Sequence, residues 1–200
     1  MLQDLKRGLL FMIVTMALFG GVYPMMLWTV GRLAFPAQAE GSLLRSAEGK
    51  VLGSTLIAQK FDKPGYFHPR PSAVDYNAAS TGATNYGPSN PDHLKAVRQR
   101  LDALVATEGV PASRVPSEMV TTSGAGLDPH IPPAAAELQI NRVAAARGLD
   151  TTRVRDLLVR HIEPPTLGFL GRPRVNVLEL NLALDHEIGP YDAAGSAGKR

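Results

Sequence analysis

From Leu9 to Val30 the chain reads LLFMIVTMALFGGVYPMMLWTV, 22 residues without a charge. At ~1.5 Å rise per residue a helix of that length spans roughly 33 Å, enough to cross a hydrocarbon layer of about 30 Å. Lys6 and Arg7 precede the run and Arg32 follows it, with Tyr23 and Trp28 toward the far end, where amphipathic rings favour the headgroup level. Pro24 removes a backbone donor beside Gly20 and Gly21, a break that lipid tolerates only with a neighbouring helix or a local adjustment. Ala17 and Gly21, one turn apart, would let a second helix approach closely, so Ala17, Gly20, Gly21 and Pro24 are the candidate packing positions. The rival is a secretory signal, since Ala37-Gln38-Ala39 fits a small-x-small cleavage pattern. The apolar part of a signal runs about 7–15 residues, and this run is longer and unbroken. A retained span over 9–30, behind a short flank of residues 1–8, is therefore expected. Charge counting leaves its orientation open: Lys6 and Arg7 stand on one side, and Arg32, Arg45 and Lys50 on the other. A short flank followed by a long domain points to export of that domain.

The remainder has the material for one folded domain: the chain of 200 residues is 44% apolar and 20% charged. A formal charge of +3, with Lys and Arg scattered, gives no basic stripe for nucleic acid. The chain has no cysteine, which excludes thiol catalysis, disulfides and thiolate metal sites. His68, His93, His130, His161 and His186 form no pair four residues apart, so no metal site is indicated.

Periodicity then divides the domain. Residues 41–61 read as two short strands about a turn at Gly49. A helix runs from Pro91 to Gly109 with a stripe of Leu94, Val97, Leu101, Leu104 and Val105. A second begins at Pro132–Pro133 and ends at Gly148, with Leu138, Ile140 and Val143 inward; a third covers about Thr152 to Ile162, with Val154, Leu157, Leu158 and Ile162 on one face. In VNVLELNLALD, Leu178, Leu180, Leu182 and Leu184 alternate with Glu179, Asn181 and Ala183, which predicts a half-buried strand. The expected architecture is an α+β (mixed helix–strand) domain over 31–188 on a single N-terminal transmembrane helix, with 189–200 a disordered tail.

Residues 62–90 have no usable period, yet they hold Tyr66, Phe67, His68, Arg70, Tyr76 and Tyr86. A disordered linker is poorer in aromatics, and a loop this long inside a domain is commonly functional. Tyr and Arg are enriched at interface hot spots, so Tyr66, Phe67, Arg70, Tyr76 and Tyr86 are expected at a docking surface.

Residues 121–133, TTSGAGLDPHIPP, invite a catalytic reading through Ser123, Asp128 and His130. The frame around Ser123 is not G-x-S-x-G, and an aspartate two residues from the histidine suits a turn better than an orienting hydrogen bond. A phosphate cradle at Ser123, Gly124, Gly126 and Asp128 is better founded, because glycine-rich backbone before a helix N-terminus favours anions. No G-x-x-x-x-G-K-[ST] follows, however, so these remain weak nucleotide candidates. The plainer expectation is a turn in which Gly124 and Gly126 take positive φ and Asp128 marks the entry to the helix, with His130 a further contact candidate. Asp62-Lys63-Pro64-Gly65 approaches the phosphorylated aspartate motif of P-type ATPases, but proline replaces its threonine and the chain has no room for that machinery; it reads as a turn.

Four further stretches carry a resemblance: FPAQAEGSL (35–43), RPSAVDYNAASTGATNYGPSNP (70–91), VTTSGAGLDPHIPPAAAELQINRVAAARGL (120–149) and GRPRVNVLELNLALD (171–185). Their order and spacing, behind one N-terminal span with a proline near its end, resemble the KdpC family, whose members belong to the bacterial high-affinity potassium-transporting P-type ATPase, the Kdp complex. One departure is YFHPRPSA (66–73), where the resemblance implies a glycine before Arg-Pro-Ser. The resemblance implies a non-catalytic subunit in the bacterial inner (plasma) membrane. Its implied partners are a channel-like potassium-translocating subunit, a P-type ATP-hydrolysing subunit and a small single-span subunit. It implies no cofactor bound directly, with ATP used by the partner. It also implies a catalytic-chaperone role in raising nucleotide affinity, which an exported domain could exert only allosterically. Such a domain would lie over the potassium entrance. Direct nucleotide binding requires a cytoplasmic domain, and a secreted hydrolase requires cleavage after Ala39.

Overall fold

In a computed structural model that describes residues 1–191, the chain divides into two compact units, Met1–Leu52 and the part from Gly53 onward. The first begins as one long helix: α1 (Leu2–Ala17), a π turn (Leu18–Val22) and α2 (Tyr23–Ala34). Pro24 has no N–H for the carbonyl of residue 20, and its ring presses on that turn. The helix answers by widening there, with the Tyr23 N–H reaching back to the Leu18 carbonyl, so the proline is absorbed in a π turn that contains Gly20 and Gly21. Thr15 and Thr29 donate their hydroxyls to the carbonyls of Phe11 and Met25, which satisfies both side chains within the helix. No residue of α1 or α2 is buried. A short α3 (Pro36–Ala39) follows, then strands β1 (Leu43–Arg45) and β2 (Val51–Ser54), paired about the turn where Gly49 has φ 80°.

The second unit is built mainly of helices. Its elements are α4 (Pro91–Glu108), β3 (His130–Ile131), α5 (Pro133–Arg147), α6 (Thr151–Arg160), β4 (Val175–Asn176) and α7 (Val177–Ile188). Side chains set their starts. Asn90 accepts the N–H groups of Asp92 and His93, Asp150 that of Thr152, and Asn176 those of Leu178 and Glu179. Gly109 and Gly148, both left-handed, end α4 and α5. The core joins Ala135, Ile140 and Val143 of α5, Val154, Leu157 and Leu158 of α6, and Val177, Leu180 and Leu184 of α7 around Phe67 and Met119. β3 and β4 close it as a two-residue antiparallel pair, His130 opposite Asn176 and Ile131 opposite Val175.

Several expectations need correction. Residues 177–188 form a helix, not a strand. The alternating leucines conceal a second pattern, because Val177, Leu180, Asn181 and Leu184 recur at three and four and, with Leu178, are the buried residues of the helix. Asn176 caps this helix and Gly189 ends it, so the local signals favour it as well. The α4 stripe is only partly covered: Leu94 is exposed, Val97, Leu101, Leu104 and Val105 are half-buried, and the residue α4 buries is Glu108. Leu138 is half-buried, while Ala135, Ala136 and Gln139 take the inner face of α5. At the C-terminus, Tyr191 packs its ring against Tyr66 and Arg147 rather than lying in a tail; the rest of the expected tail, 192–200, lies outside the described residues.

Candidate interaction site

The segment without a period is held to the helical core by side chains instead of by a sheet. The Phe67 N–H donates to Asn181 Oδ1 at 2.8 Å, and Asn181 Nδ2 donates to the Phe67 carbonyl at 2.9 Å. One residue on, Gln139 does the same for His68, at 2.7 and 3.1 Å. Each buried amide thus pairs both backbone groups of one residue, as a neighbouring strand would. Arg142 donates to the carbonyls of Pro64 and Tyr66 and to Glu108, and Arg147 donates to those of Gly65 and Gly189 and to Asp185. Asp62-Lys63-Pro64-Gly65 is a turn closed by the Tyr66 N–H on the Lys63 carbonyl.

This places the aromatic residues in distinct roles. Phe67 is wholly buried, so its ring belongs to the core and offers no partner surface. Tyr66 is half-buried: its hydroxyl donates to Asp185 at 2.8 Å, and the Arg147 guanidinium lies 4.9 Å from its ring centre. Tyr76 donates to the Arg70 carbonyl at 2.8 Å, and burial, aided by Asp62 and Asp75, pushes its phenol up to about 12, which keeps it a donor. Tyr86 is exposed. His68 is driven below the usual imidazole range by burial and by the Arg142 charge. Its neutral form therefore stabilises the fold, a contribution complete above the unfolded imidazole pKa and lost as pH falls through the lower folded value.

Asp128 also differs from expectation. It does not enter α5, which starts at Pro133 with Pro132 before it. Its Oδ1 accepts the His130 N–H at 3.0 Å, and its Oδ2 takes Arg70 at 3.0 Å. Burial works to raise its pKa, but hydrogen bonds from His130 and from Arg70 outweigh that and hold the carboxyl below its ordinary value. Its contribution to stability is present above the unfolded carboxylate pKa and disappears as pH falls through the lower folded one. Acid unfolding of Asp128→Asn, followed by circular dichroism, is expected to lose the part of the pH dependence that lies below the ordinary carboxylate range. The His130 ring lies between two carboxylates, 3.7 Å from Asp128 and 3.8 Å from Glu163, and Glu163 pairs with Arg174 at 2.9 Å. A row of paired side chains, Arg70–Asp128–His130–Glu163–Arg174, therefore ties the aromatic segment to the 163–174 hairpin.

The glycine run is open only in part: Gly124 is exposed with nothing within 4 Å of a Cβ placed there, whereas Gly126 is covered. Only Gly126 has positive φ (71°), not Gly124, and a Cβ on Gly126 would meet Val74 at 2.7 Å and the Gly82 carbonyl at 3.0 Å. The chain's own 72–82 stretch covers Gly126, and Pro132 and Pro133 bring no N–H to the start of α5. Ser123 is buried and engages through its backbone, its N–H on the Pro71 carbonyl. Both features weigh against a phosphate cradle and against an accessible nucleophile. A Gly126→Ala variant is expected to lose about 1–3 kcal/mol in a denaturant titration, from φ strain and the clash together.

Sequence reasoning missed Gln139, Arg142, Arg147 and Asn181, the residues that fix the segment. A signal was available: Gln139 and Asn181 sit at inward positions of apolar helical stripes, where a polar residue is kept only if it is hydrogen-bonded.

Comparison with known proteins decides what this arrangement belongs to. Residues 5–186 match the family described as "KdpC: K+-transporting ATPase, c chain". The chain belongs to the KdpC family. Proteins called potassium-transporting ATPase KdpC subunit are 48% identical over 187 residues in Geobacter sulfurreducens and 50% over 188 in Sorangium cellulosum, covering 92% of this chain and 98% of each relative. One from Polaromonas naphthalenivorans is 49% identical over 194 residues, covering 96% of this chain and 98% of its own length. Membership makes the chain a subunit of a potassium-transporting ATPase, accessory to the catalytic one.

Proposed function

We propose that the chain is the single-span, non-catalytic subunit that assembles and stabilises an ATP-driven potassium uptake pump. The observation that carries this is the KdpC match, which runs through both the apolar helix and the folded domain. In this reading the 33-residue helix Leu2–Ala34 is anchored in the plasma membrane. Its exposed apolar surface would face lipid and a partner helix, with Ala17, Gly20 and Gly21 at the closest approach. The domain lies outside and contacts the channel-like subunit near the potassium entrance. The ATP-hydrolysing and small single-span subunits complete the complex. The aromatic segment, anchored by Gln139 and Asn181, is a preorganised surface that loses little entropy on docking.

An outside domain cannot bind cytoplasmic ATP, so any chaperone effect on nucleotide use is a coupling between pump states. Couplings of this kind amount to ~5–150-fold in affinity. Cells expressing the other subunits with and without this chain provide the test. Potassium-stimulated ATPase activity is expected only with it, while the purified chain alone hydrolyses nothing. Activity undiminished without it would end the proposal. Sidedness has its own test, because the chain has no native cysteine. In spheroplasts an impermeant maleimide is expected to label Ser89→Cys, in the exposed loop, and to spare Gln3→Cys. The reverse pattern would place the domain in the cytoplasm and revive direct nucleotide binding.

A further inference from the structure

The 163–174 hairpin ends in a tip that the fold does not use. Leu167, Phe169 and Leu170 are 78%, 74% and 50% exposed. They are nevertheless held in a fixed shape. The Thr166 and Leu170 backbones exchange two hydrogen bonds of 2.9 Å, and the Gly168 N–H closes on the Pro165 carbonyl at 2.9 Å. Glu163 and Arg174 pair at the base through backbone and side chain alike. Leu167 has φ 56°, a left-handed conformation unusual for leucine, and is followed by positive φ at Gly168 and Gly171. An apolar loop needed only as a connection has no reason to be built so firmly or to present its largest side chains outward.

Charge and area narrow what covers it. Residues 164–173, PPTLGFLGRP, contain no acid and a single base, Arg172. A bilayer surface is held by several basic residues together with apolar insertion, and one arginine is too few. Taking ~200 Å² for a whole large apolar side chain, the tip exposes about 400 Å², roughly half of what each partner buries in an ordinary stable interface. A second copy meeting tip to tip would fall well short of a stable dimer. An uncharged apolar plug of that size fits a contact that completes a complex already held elsewhere.

We infer that Leu167, Phe169 and Leu170 plug an uncharged apolar recess on another subunit of the same ATPase. The inference rests on the assembly role proposed above. It is tested in the complete complex, co-expressed and solubilised in mild detergent, with the Phe169 ring replaced by a photoreactive benzophenone side chain. Irradiation is expected to give an adduct with a second pump subunit, mapped by mass spectrometry to an apolar, charge-poor stretch. Adducts with lipid, with another copy of this chain or with solvent alone would overturn it. In parallel, a Phe169→Ser, Leu170→Ser double variant is expected to retain about tenfold less of the other subunits through purification. Its thermal unfolding as the isolated full chain should be unchanged, since both side chains are exposed. Wild-type recovery separates the two ideas. If the unaltered chain brings down no pump subunit, the assembly role fails; if it does, and the double variant does equally well, only the tip assignment fails.

Discussion

An Asn181→Ala variant is expected to lose about 2–6 kcal/mol of folding stability, as large an effect as any single change here. Asn181 is 1% exposed, and its amide satisfies both the N–H and the carbonyl of Phe67. Its removal strands two buried backbone groups at ~1–3 kcal/mol each. A domain typically has only ~5–15 kcal/mol in total. Gln139→Ala should behave similarly at His68. Because the two residues clamp adjacent positions of one segment, their combined loss should fall short of the sum. Denaturant unfolding of the detergent-solubilised chain measures this, and chymotrypsin adds a local readout: cleavage after Tyr66 and Phe67 should accelerate in both variants. A loss below about 0.5 kcal/mol, the level of an ordinary surface substitution, would show that the segment is held by other means.

Arg142→Met should cost about 3–5 kcal/mol, because it leaves Glu108 charged, buried and alone. The Glu108 side chain is 1% exposed and that of Arg142 9%, with 2.8 Å between Nε and Oε1. The same guanidinium reaches the carbonyls of Pro64 and Tyr66 at 2.7 and 2.9 Å, so the variant also loosens the aromatic segment. Adding Glu108→Gln should recover more than half of the loss, since a neutral amide at that position removes the uncompensated charge. The Arg155–Glu137 pair is the control. It has the same 2.8 Å separation but is about half exposed on both sides, and its removal should cost no more than ~1 kcal/mol. Equal effects for the two pairs in thermal unfolding would contradict the role assigned to burial.

What the sequence revealed divides along physical lines. α4, α5 and α6 were legible because their apolar spacing is long and the ends of the first two carry Pro91, Gly109, Pro132–Pro133 and Gly148. α7 was not, because leucine at every second position contains a helical spacing as well as a strand spacing, and the Asn176 cap together with packing against α6 selects the helix. Residues 62–90 were recognised as ordered from their aromatics, but the means of order was hidden. A segment paired by side-chain amides from helices at positions 139 and 181 leaves no periodic trace of its own. Phe67 was misplaced for that reason: nothing local distinguishes it from Tyr66, and only the Asn181 clamp turns its ring inward. The 166–170 tip escaped notice because three apolar residues among glycines and prolines look like any loop until their exposure is measured.

The most direct measurement is co-purification from membranes with a tag on the C-terminus, identifying the recovered proteins and assaying potassium-stimulated ATPase activity. Recovery of a channel-like subunit and a P-type ATP-hydrolysing subunit, with activity in the eluate and none in the separated chain, is the predicted result. A lone protein, trimmed after Ala39 and free of the membrane, would contradict it.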